Sequence, residues 1–119
     1  MSLWGDYVKE KYNKYMIEDE NGFLIYYLIP QNKELYVEDI YIVPEHRKLG
    51  AYKTFLKKLE PIFCQNECEK LSCSVFLYSN KPEESIAWIL KLGFKISHIT
   101  DNKIIYFICN KEDYYNHEH

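Results

Sequence analysis

The residues best suited to chemistry lie where a strand-like segment gives way to a helical one, at Arg47, Lys48 and Gly50. A tight strand-to-helix turn gathers unpaired backbone N–H groups at one point, and the helix dipole adds positive potential there. Such a place binds phosphate. Glycine removes a Cβ that would hold a bulky anion away from the backbone. The spacing indicates an anion site; the alternative is an ordinary turn glycine beside a solvated basic corner.

Two elements must position this turn. Before it, residues 35–43 alternate in the manner of a strand. After it, apolar residues recur at helical spacing from Ala51 to Phe63, with lysines on the other face, which predicts an amphipathic helix. Pro61 is expected to bend or end that helix.

The remaining elements follow from periodicity and turn residues. Residues 3–15 form a helix pattern, and Asn21-Gly22 is expected to supply the positive φ of a tight hairpin. Pro82 and Gly93 mark the start and end of another helix. Further strand patterns cover residues 15–18, 23–29 and 70–79 and the segments "FKISHIT" and "KIIYFIC". The predicted order is α-βββ-α-β-α-ββ.

Length and composition exclude several classes of protein. The 119 residues predict a single domain over 1–119. A net charge of −3 argues against nucleic-acid binding, which needs a surplus of basic residues. Because no apolar run approaches the roughly 20 residues of a membrane span and no signal pattern opens the chain, we expect a cytoplasmic protein without membrane contact.

We expect no metal site. Cys64 and Cys68 are spaced C-x3-C, and no second close pair completes a zinc site, so the four cysteines are interpreted as reduced structural thiols. Residues 111–119 are expected to form a flexible tail, in which His117 and His119 are solvated.

Two motifs carry a resemblance to a known family. The stretch "YVEDIYIVPEHRKLGA" resembles motif A of the GCN5-related N-acetyltransferases (GNAT), in which R/Q-x-x-G-x-G/A follows the fourth strand; Arg47 and Gly50 fall at its positions. The stretch "SIAWILKLGF" resembles the motif B helix of the same family. The resemblance covers roughly residues 14 to 110, with the two motifs in the right order.

This resemblance implies an α/β (α+β) fold with a mixed, mostly antiparallel sheet, splayed at its centre and flanked by helices. It also implies acetyl-CoA as co-substrate, with the pantetheine arm between the strands at 35–43 and 71–78. Backbone groups would bind the pantetheine at Ile40, Tyr41 and Ile42. The pyrophosphate would be held by Arg47, Lys48, Leu49, Gly50, Ala51 and Tyr52, and Asn80 would also contact the cofactor.

The resemblance further implies transfer of an acetyl group to an amine of a small molecule or a protein. Glu38 is the candidate base, because "YVEDIYI" resembles the strand of the polyamine-acetylating branch. Asp39 is expected to point to the opposite face, since strand side chains alternate. Tyr78, Ser79 and Asn80 are candidate proton donors to the departing thiolate, with Tyr78 and Asn80 counted among the catalytic residues.

Three departures from the family pattern leave an alternative open. Tyr52 stands where motif A has a small residue, and Ile89 stands where motif B supplies a tyrosine acid. The front of the chain is also short, so a partner subunit, such as a second copy in a homodimer, could complete the acceptor site. The alternative is a weak or inactive GNAT-fold protein that binds a partner or an acyl-CoA. A structural or inhibitory protein from an AT-rich viral or mobile genome is a third hypothesis.

Overall fold

A six-stranded sheet organises the part of the chain that the structure, a computed structural model, describes, residues 3–116. The strands are β1 (Tyr15–Asp19), β2 (Gly22–Ile29), β3 (Glu34–Ile42), β4 (Lys70–Phe76), β5 (Lys95–Ile99) and β6 (Ile104–Asn110). The helices are α1 (Leu3–Tyr12), α2 (Leu49–Gln65), α3 (Pro82–Lys91) and α4 (Lys111–Asn116). Short 3-10 turns at Pro30–Asn32 and Pro44–His46 flank β3.

The sheet is mixed and mostly antiparallel. Its strand order is β1-β2-β3-β4-β6-β5, and only the β3–β4 pair is parallel. The predicted α-βββ-α-β-α-ββ order and the α/β fold class are confirmed, and the structure adds α4 at the end.

The helices α2, α3 and α4 pack on one face of the sheet. Phe55, Leu59 and Phe63 of α2 join one buried cluster with alternate residues of the strands, such as Leu35 and Val37. The opposite face carries what we call the tyrosine face, formed by Tyr27, Tyr36 and Tyr106. There the rings of Tyr27 and Tyr36 meet edge to face with their centroids 5.1 Å apart.

The two central strands separate after a short paired stretch. The strands β3 and β4 pair only from Glu34 to Tyr36, opposite Lys70 to Ser72. Beyond that point β3 stays with β2 up to Ile42, whereas β4 stays with β6 up to Phe76. The sheet is therefore splayed at its centre, which confirms the expectation, and a gap opens toward the carboxyl ends of both strands.

A β-bulge lies at the point where β3 leaves β4. In the β2–β3 pairing Ile25 is opposite Asp39 and Tyr26 is opposite Val37, which leaves Glu38 as the extra residue. A bulge bends its strand and increases the local twist. The bend therefore occurs just where the gap to β4 begins.

The β1–β2 hairpin differs from the prediction. Its turn residues are Glu20 and Asn21, because Asp19 pairs with Gly22. Among the described residues neither Asn21 nor Gly22 has a positive φ; instead the Asp19 Oδ1 accepts the Asn21 N–H at 2.7 Å. Glycine at position 22 has a steric reason, since a Cβ there would lie 1.8 Å from the Tyr41 carbonyl oxygen.

The expectation that the helix ends at Pro61 is wrong. The helix α2 runs through Pro61 to Gln65. Phe63, two residues beyond the proline, is fully buried against the ring of Tyr114, with the ring centroids 4.9 Å apart. Packing of this last turn outweighs the one backbone hydrogen bond that proline cannot donate.

The flexible tail expected from residue 111 is replaced by α4 over Lys111–Asn116. Its Tyr114 is fully buried, and the phenol donates a 2.5 Å hydrogen bond to the Leu56 carbonyl oxygen in α2. One aromatic anchor thus orders a segment whose composition is polar. His117 and His119 lie outside the described residues.

Candidate active site

The gap between β3 and β4 is the mouth of a cleft of about 520 Å³. Its walls come from β3 (residues 37–42), β4 (residues 73–76), the loop after β4 (residues 79–81) and one side of α3. Arg47 and Tyr52, on either side of the first turn of α2, also line it. The strands' separation therefore creates an elongated groove that ends beside a helix N-terminus.

Glu38 and Asp39 both line this cleft, so the expectation that Asp39 points away from Glu38 is wrong. The reason is the bulge, which interrupts the alternation of side chains at this pair. The ammonium group of Lys14 forms an ion pair with the Glu38 Oε1. The Glu38 side chain nevertheless keeps 38% of its surface exposed.

The backbone of β3 presents polar groups to the cleft. The Val43 N–H donates to the Asn21 carbonyl at 2.8 Å. By the alternation of an antiparallel ladder, Tyr41 then bonds toward β2, and the N–H and C=O groups of Ile40 and Ile42 face the cleft. The Ile42 oxygen accepts a 2.7 Å bond from the Arg47 Nε. Two of the three residues expected at the pantetheine thus have backbone groups on the cleft side.

Arg47 is held in place at the end of the cleft. Besides its bond to the strand, its guanidinium carbon lies 5.6 Å from the centroid of the Tyr41 ring. The bond to Ile42 uses only the Nε of the guanidinium, whose terminal nitrogens carry further donors. Arg47 is therefore a cation with a fixed orientation beside the first turn of α2.

The first turn of α2 divides the expected pyrophosphate-binding amides into two groups. The Lys48 N–H donates to the His46 carbonyl at 2.8 Å, and the Ala51 N–H donates to the Lys48 carbonyl at 3.0 Å. Leu49 and Gly50 are the first two helical residues, whose N–H groups have no intrahelical acceptor. Within the described part of the chain, no side chain caps this end through its N-cap, Lys48.

Gly50 has no packing reason to be glycine in this structure. No described atom lies within 4 Å of the place where its Cβ would stand. Its φ is not among the positive values found in the described residues. The space beside its amide is open, and that space fits a group that approaches the backbone closely.

The ring of Tyr52 is packed against α3. It stacks on Trp88 with the centroids 5.2 Å apart, and burial raises the pKa of its phenol. Ile89, one residue further along α3, also lines the cleft and packs against the core. Position 89 therefore contributes an apolar wall and no hydroxyl.

The loop after β4 brings two of its three predicted residues to the cleft. Ser79 and Asn80 line it, and the Ser79 hydroxyl donates to the Phe76 carbonyl at 2.6 Å. Tyr78 is outside the lining and has 73% of its surface exposed. The placement favours Ser79 and Asn80 over Tyr78 as groups that contact a bound molecule.

The sequence interpretation missed a hydroxyl pair at the base of the cleft. The Tyr36 phenol and the Ser74 hydroxyl are 2.5 Å apart and join β3 to β4 at the end of their paired stretch. Ser74 lines the cleft, and burial raises the pKa of Tyr36, so its phenol stays protonated. A signal was available in the sequence, since Tyr36 lies two residues before Glu38 and a strand places such residues on one face.

The described residues show neither a metal-binding cluster nor a membrane-spanning helix. In the described ranges, no three His, Cys, Asp or Glu side chains converge as metal ligands would. The four cysteines are all free thiols. No described helix combines the length and the apolar character that crossing a bilayer requires.

Comparison with known proteins then decides the family. The model of the acetyltransferase (GNAT) family matches residues 4–94, more than half of the chain. The chain belongs to the GNAT family. The match spans the splayed strands, the first turn of α2 and the whole of α3 in this GNAT protein. No curated protein matches its sequence at a significant level.

Solved structures support the GNAT fold at low sequence identity. A spermidine N-acetyltransferase mutant from Vibrio cholerae has a TM-score of 0.65 at 17% identity, over 98% of this chain and 85% of that one. The PaiA N-acetyltransferase of Thermoplasma acidophilum, in complex with coenzyme A, has a TM-score of 0.68 at 18% identity, over 91% and 69%.

A nourseothricin acetyltransferase gives a TM-score of 0.65 at 21% identity over 76% of this chain. This GNAT protein spans only 57% of the length of that enzyme. The structural matches therefore establish the fold.

Proposed function

We propose that this GNAT protein is an acetyl-CoA-dependent N-acetyltransferase. The observation that carries the proposal is the cleft between β3 and β4, which ends at the uncapped first turn of α2 beside Gly50. Open space at a glycine, unbonded amides and a fixed arginine are together what a pyrophosphate group requires. An elongated gap lined by strand backbone suits a pantetheine arm.

The residues of this chain divide the binding of acetyl-CoA among them. The amides of Leu49 and Gly50 and the guanidinium of Arg47 are suited to hold the pyrophosphate, since the N–H groups of Lys48 and Ala51 are used within the protein. The backbone of Ile40 and Ile42 is suited to the pantetheine. When bound, acetyl-CoA supplies an acetyl group activated as a thioester.

Glu38 is the proposed base. The carboxylate lines the cleft at the bulge, near the point where β3 and β4 separate. A carboxylate there can take the proton of an acceptor amine, directly or through water. Asp39 adds a second negative charge to the same stretch of the cleft.

The Tyr36–Ser74 pair is the proposed source of the proton for the leaving sulfur. Its two hydroxyls are 2.5 Å apart, at the base of the cleft. The Tyr36 phenol is protonated at neutral pH, and burial raises its pKa above the ordinary value of 10.0. The pair replaces the tyrosine that the family pattern would put at position 89, and Ser79 and Asn80 remain alternative donors.

The acceptor amine is proposed to arrive from the tyrosine face. The helices α2 and α3 cover the other face of the sheet, and the first turn of α2 belongs to that side. Glu38 and the rings of Tyr27 and Tyr36 are suited to a cationic amine. Relatives of this fold include enzymes for spermidine and for nourseothricin, so a polyamine, another small amine and a protein lysine are the acceptors to test.

Two observations favour the alternative of a weak or inactive acyl-CoA-binding protein. Ile89 gives the cleft no hydroxyl. The proposed base, Glu38, is already in an ion pair with Lys14. Such a protein would bind CoA and transfer nothing. Cytoplasmic location and a homodimer stay predictions from the sequence.

Calorimetry and a transfer assay test the proposal together. Acetyl-CoA and CoA are titrated into the wild type, Arg47→Ala and Lys57→Ala, which is an exposed lysine of α2 outside the cleft lining. We expect Arg47→Ala to raise the Kd about 10-fold or more, as for the loss of a charge-assisted hydrogen bond, and Lys57→Ala to bind as the wild type does.

Acetyl transfer is then measured with spermidine, small primary amines and lysine peptides. Absence of CoA binding at millimolar concentration rejects the proposal. Binding without transfer to any amine, the protein's own lysines included, favours the inactive alternative.

A further inference from the structure

The side-chain amine of Lys14 forms an ion pair with Glu38, the proposed base. Lys14, just before β1, extends across the tyrosine face, and its ammonium group pairs with the Glu38 Oε1. The Lys14 Nζ also lies 5.7 Å from the centroid of the Tyr12 ring and 5.7 Å from that of the Tyr27 ring. A carboxylate and two aromatic rings are the surroundings that a cationic amine favours. Lys14 therefore occupies the place suited to an acceptor.

Glu38 connects this amine to the cleft. The carboxylate lines the cleft and contacts Lys14 at the same time. The Lys14 side chain is half-buried, with 27% of its surface exposed, so the surrounding groups restrict its position. A tethered amine next to a base has a high effective concentration for attack on a bound acyl group.

We propose that this protein acetylates its own Lys14, an inference that rests on the proposed acetyltransferase function. The neutral Lys14 Nζ, having given one proton of its ammonium form to solvent, attacks the carbonyl carbon of the acetyl thioester. An N–C bond forms and the C–S bond breaks. Glu38 accepts the second proton from the nitrogen, and the thiolate takes a proton from the Tyr36–Ser74 pair or from solvent. The products are N-acetyl-Lys14 and CoA thiol.

Acetylation changes the site that it occurs in. N-acetyl-Lys14 has no charge, so its ion pair with Glu38 is lost. The carboxylate is then open to an external amine. Self-acetylation is therefore a first turnover that removes a competing cation from the proposed base.

Two neighbouring lysines serve as internal controls. The Lys9 Nζ lies 5.8 Å from the Tyr15 ring centroid, and the Lys11 Nζ lies 5.6 Å from that of Tyr7. Both contact rings within or next to α1 rather than the Glu38 carboxylate. Spontaneous acetylation by a thioester acts on exposed lysines alike, whereas the proposed reaction selects Lys14.

The experiment incubates the full chain with acetyl-CoA and maps acetylated lysines by tandem mass spectrometry over time. We expect Lys14 to be acetylated at least about 10-fold faster than Lys9 and Lys11 in the same molecules. The Glu38→Gln variant is expected to slow acetylation of Lys14 by about 100-fold or more while leaving Lys9 and Lys11 unchanged. Lys14→Arg is expected to remove the fast phase but to bind CoA with wild-type affinity by calorimetry.

The possible failures are distinguishable. Equal rates at the three lysines, or a Glu38→Gln variant that acetylates Lys14 at the wild-type rate, overturn the inference. Transfer to external amines with Lys14 unmodified also overturns it, and leaves the proposed function standing. Absence of CoA binding overturns both.

Discussion

The Tyr36 phenol lies 2.5 Å from the Ser74 hydroxyl, although the two residues are 38 positions apart in the chain. Tyr36 belongs to the last residue pair that joins β3 to β4, and Ser74 to the part of β4 that has left β3. The hydrogen bond thus marks the base of the cleft. In the proposed mechanism this pair supplies the proton that Ile89 cannot.

Replacement of Tyr36 by phenylalanine tests this assignment. We expect kcat to fall by about 100-fold, as for the loss of a general acid, with little change in the KM for acetyl-CoA. Because burial raises the pKa of Tyr36 above its ordinary value of 10.0, the wild-type donor should stay protonated beyond the pH at which an exposed tyrosine ionises. The measurement is a pH profile of kcat for both proteins.

The matched control for that variant is Tyr26→Phe. Tyr26 is also buried, and burial also raises its pKa, but its ring packs in the core on the helix side of the sheet. The kcat of the Tyr26→Phe variant should stay at the wild-type level. Equal losses in the two variants would contradict the role of Tyr36 as a donor.

Replacement by alanine should affect the free energy of unfolding differently at Gly50 and at Gly22. Gly50→Ala meets no described atom within 4 Å, so we expect stability unchanged or raised by up to about 1 kcal/mol, since alanine favours a helix. Its Cβ would enter the space assigned to the pyrophosphate, and the Kd for CoA should rise about 10-fold, or roughly 1.4 kcal/mol.

Gly22→Ala is the counterpart. Its Cβ would stand 1.8 Å from the Tyr41 carbonyl oxygen, so the hairpin must shift and the free energy of unfolding should fall by about 1–3 kcal/mol or more. Urea unfolding and CoA titration of both variants check this contrast. Unchanged CoA affinity in Gly50→Ala would count against the anion site at the first turn of α2.

Two thiols whose pKa values are raised should make the protein less stable at alkaline pH. Burial raises the pKa of Cys73 to about 12 and of Cys109 to about 11, from an ordinary 9.0. The folded state therefore favours the protonated thiols. Their contribution is complete below pH 9 and is lost progressively as the pH rises from 9 to the folded-state pKa values of about 11 and about 12.

The expected slope is on the order of 1 kcal/mol per pH unit for each thiol within that window. Urea unfolding from pH 7 to 11 measures it in the wild type and in Cys109→Ala, whose slope should be shallower. Cys64→Ala, at an exposed position, is the control and should keep the wild-type slope. A slope that is the same in all three proteins would contradict the assignment.

The role of Tyr114 in holding α4 against α2 can be tested without changing the candidate active site. Tyr114→Phe removes the 2.5 Å bond from its buried phenol to the Leu56 carbonyl, so we expect a loss of about 1 kcal/mol in the free energy of unfolding. Tyr115→Phe, at a side chain with 42% exposure, should change it little. Equal effects in the two variants would show that α4 is not anchored through Tyr114.

Local patterns in the sequence determined much of the framework. Strand and helix periodicities predicted the element order, and the strand-to-helix turn at Arg47 and Gly50 pointed to an anion site, because such signals depend on residues close together in the chain. The same reasoning misplaced the end of the first long helix at Pro61 and expected a tail beyond residue 110. Both errors arose because a buried aromatic contact, Phe63 on Tyr114, overrode local preference.

The sequence by itself determined which elements exist and which residues border the first turn of α2. Only the tertiary structure decided that β3 bulges at Glu38, that Tyr36 meets Ser74, and that Lys14 reaches Glu38 across 24 positions. Register shifts and contacts between distant strands have no local periodicity, since they follow from how the whole sheet packs and splays. The chemistry of the site is set at those contacts, where residues far apart in the chain come within bonding distance.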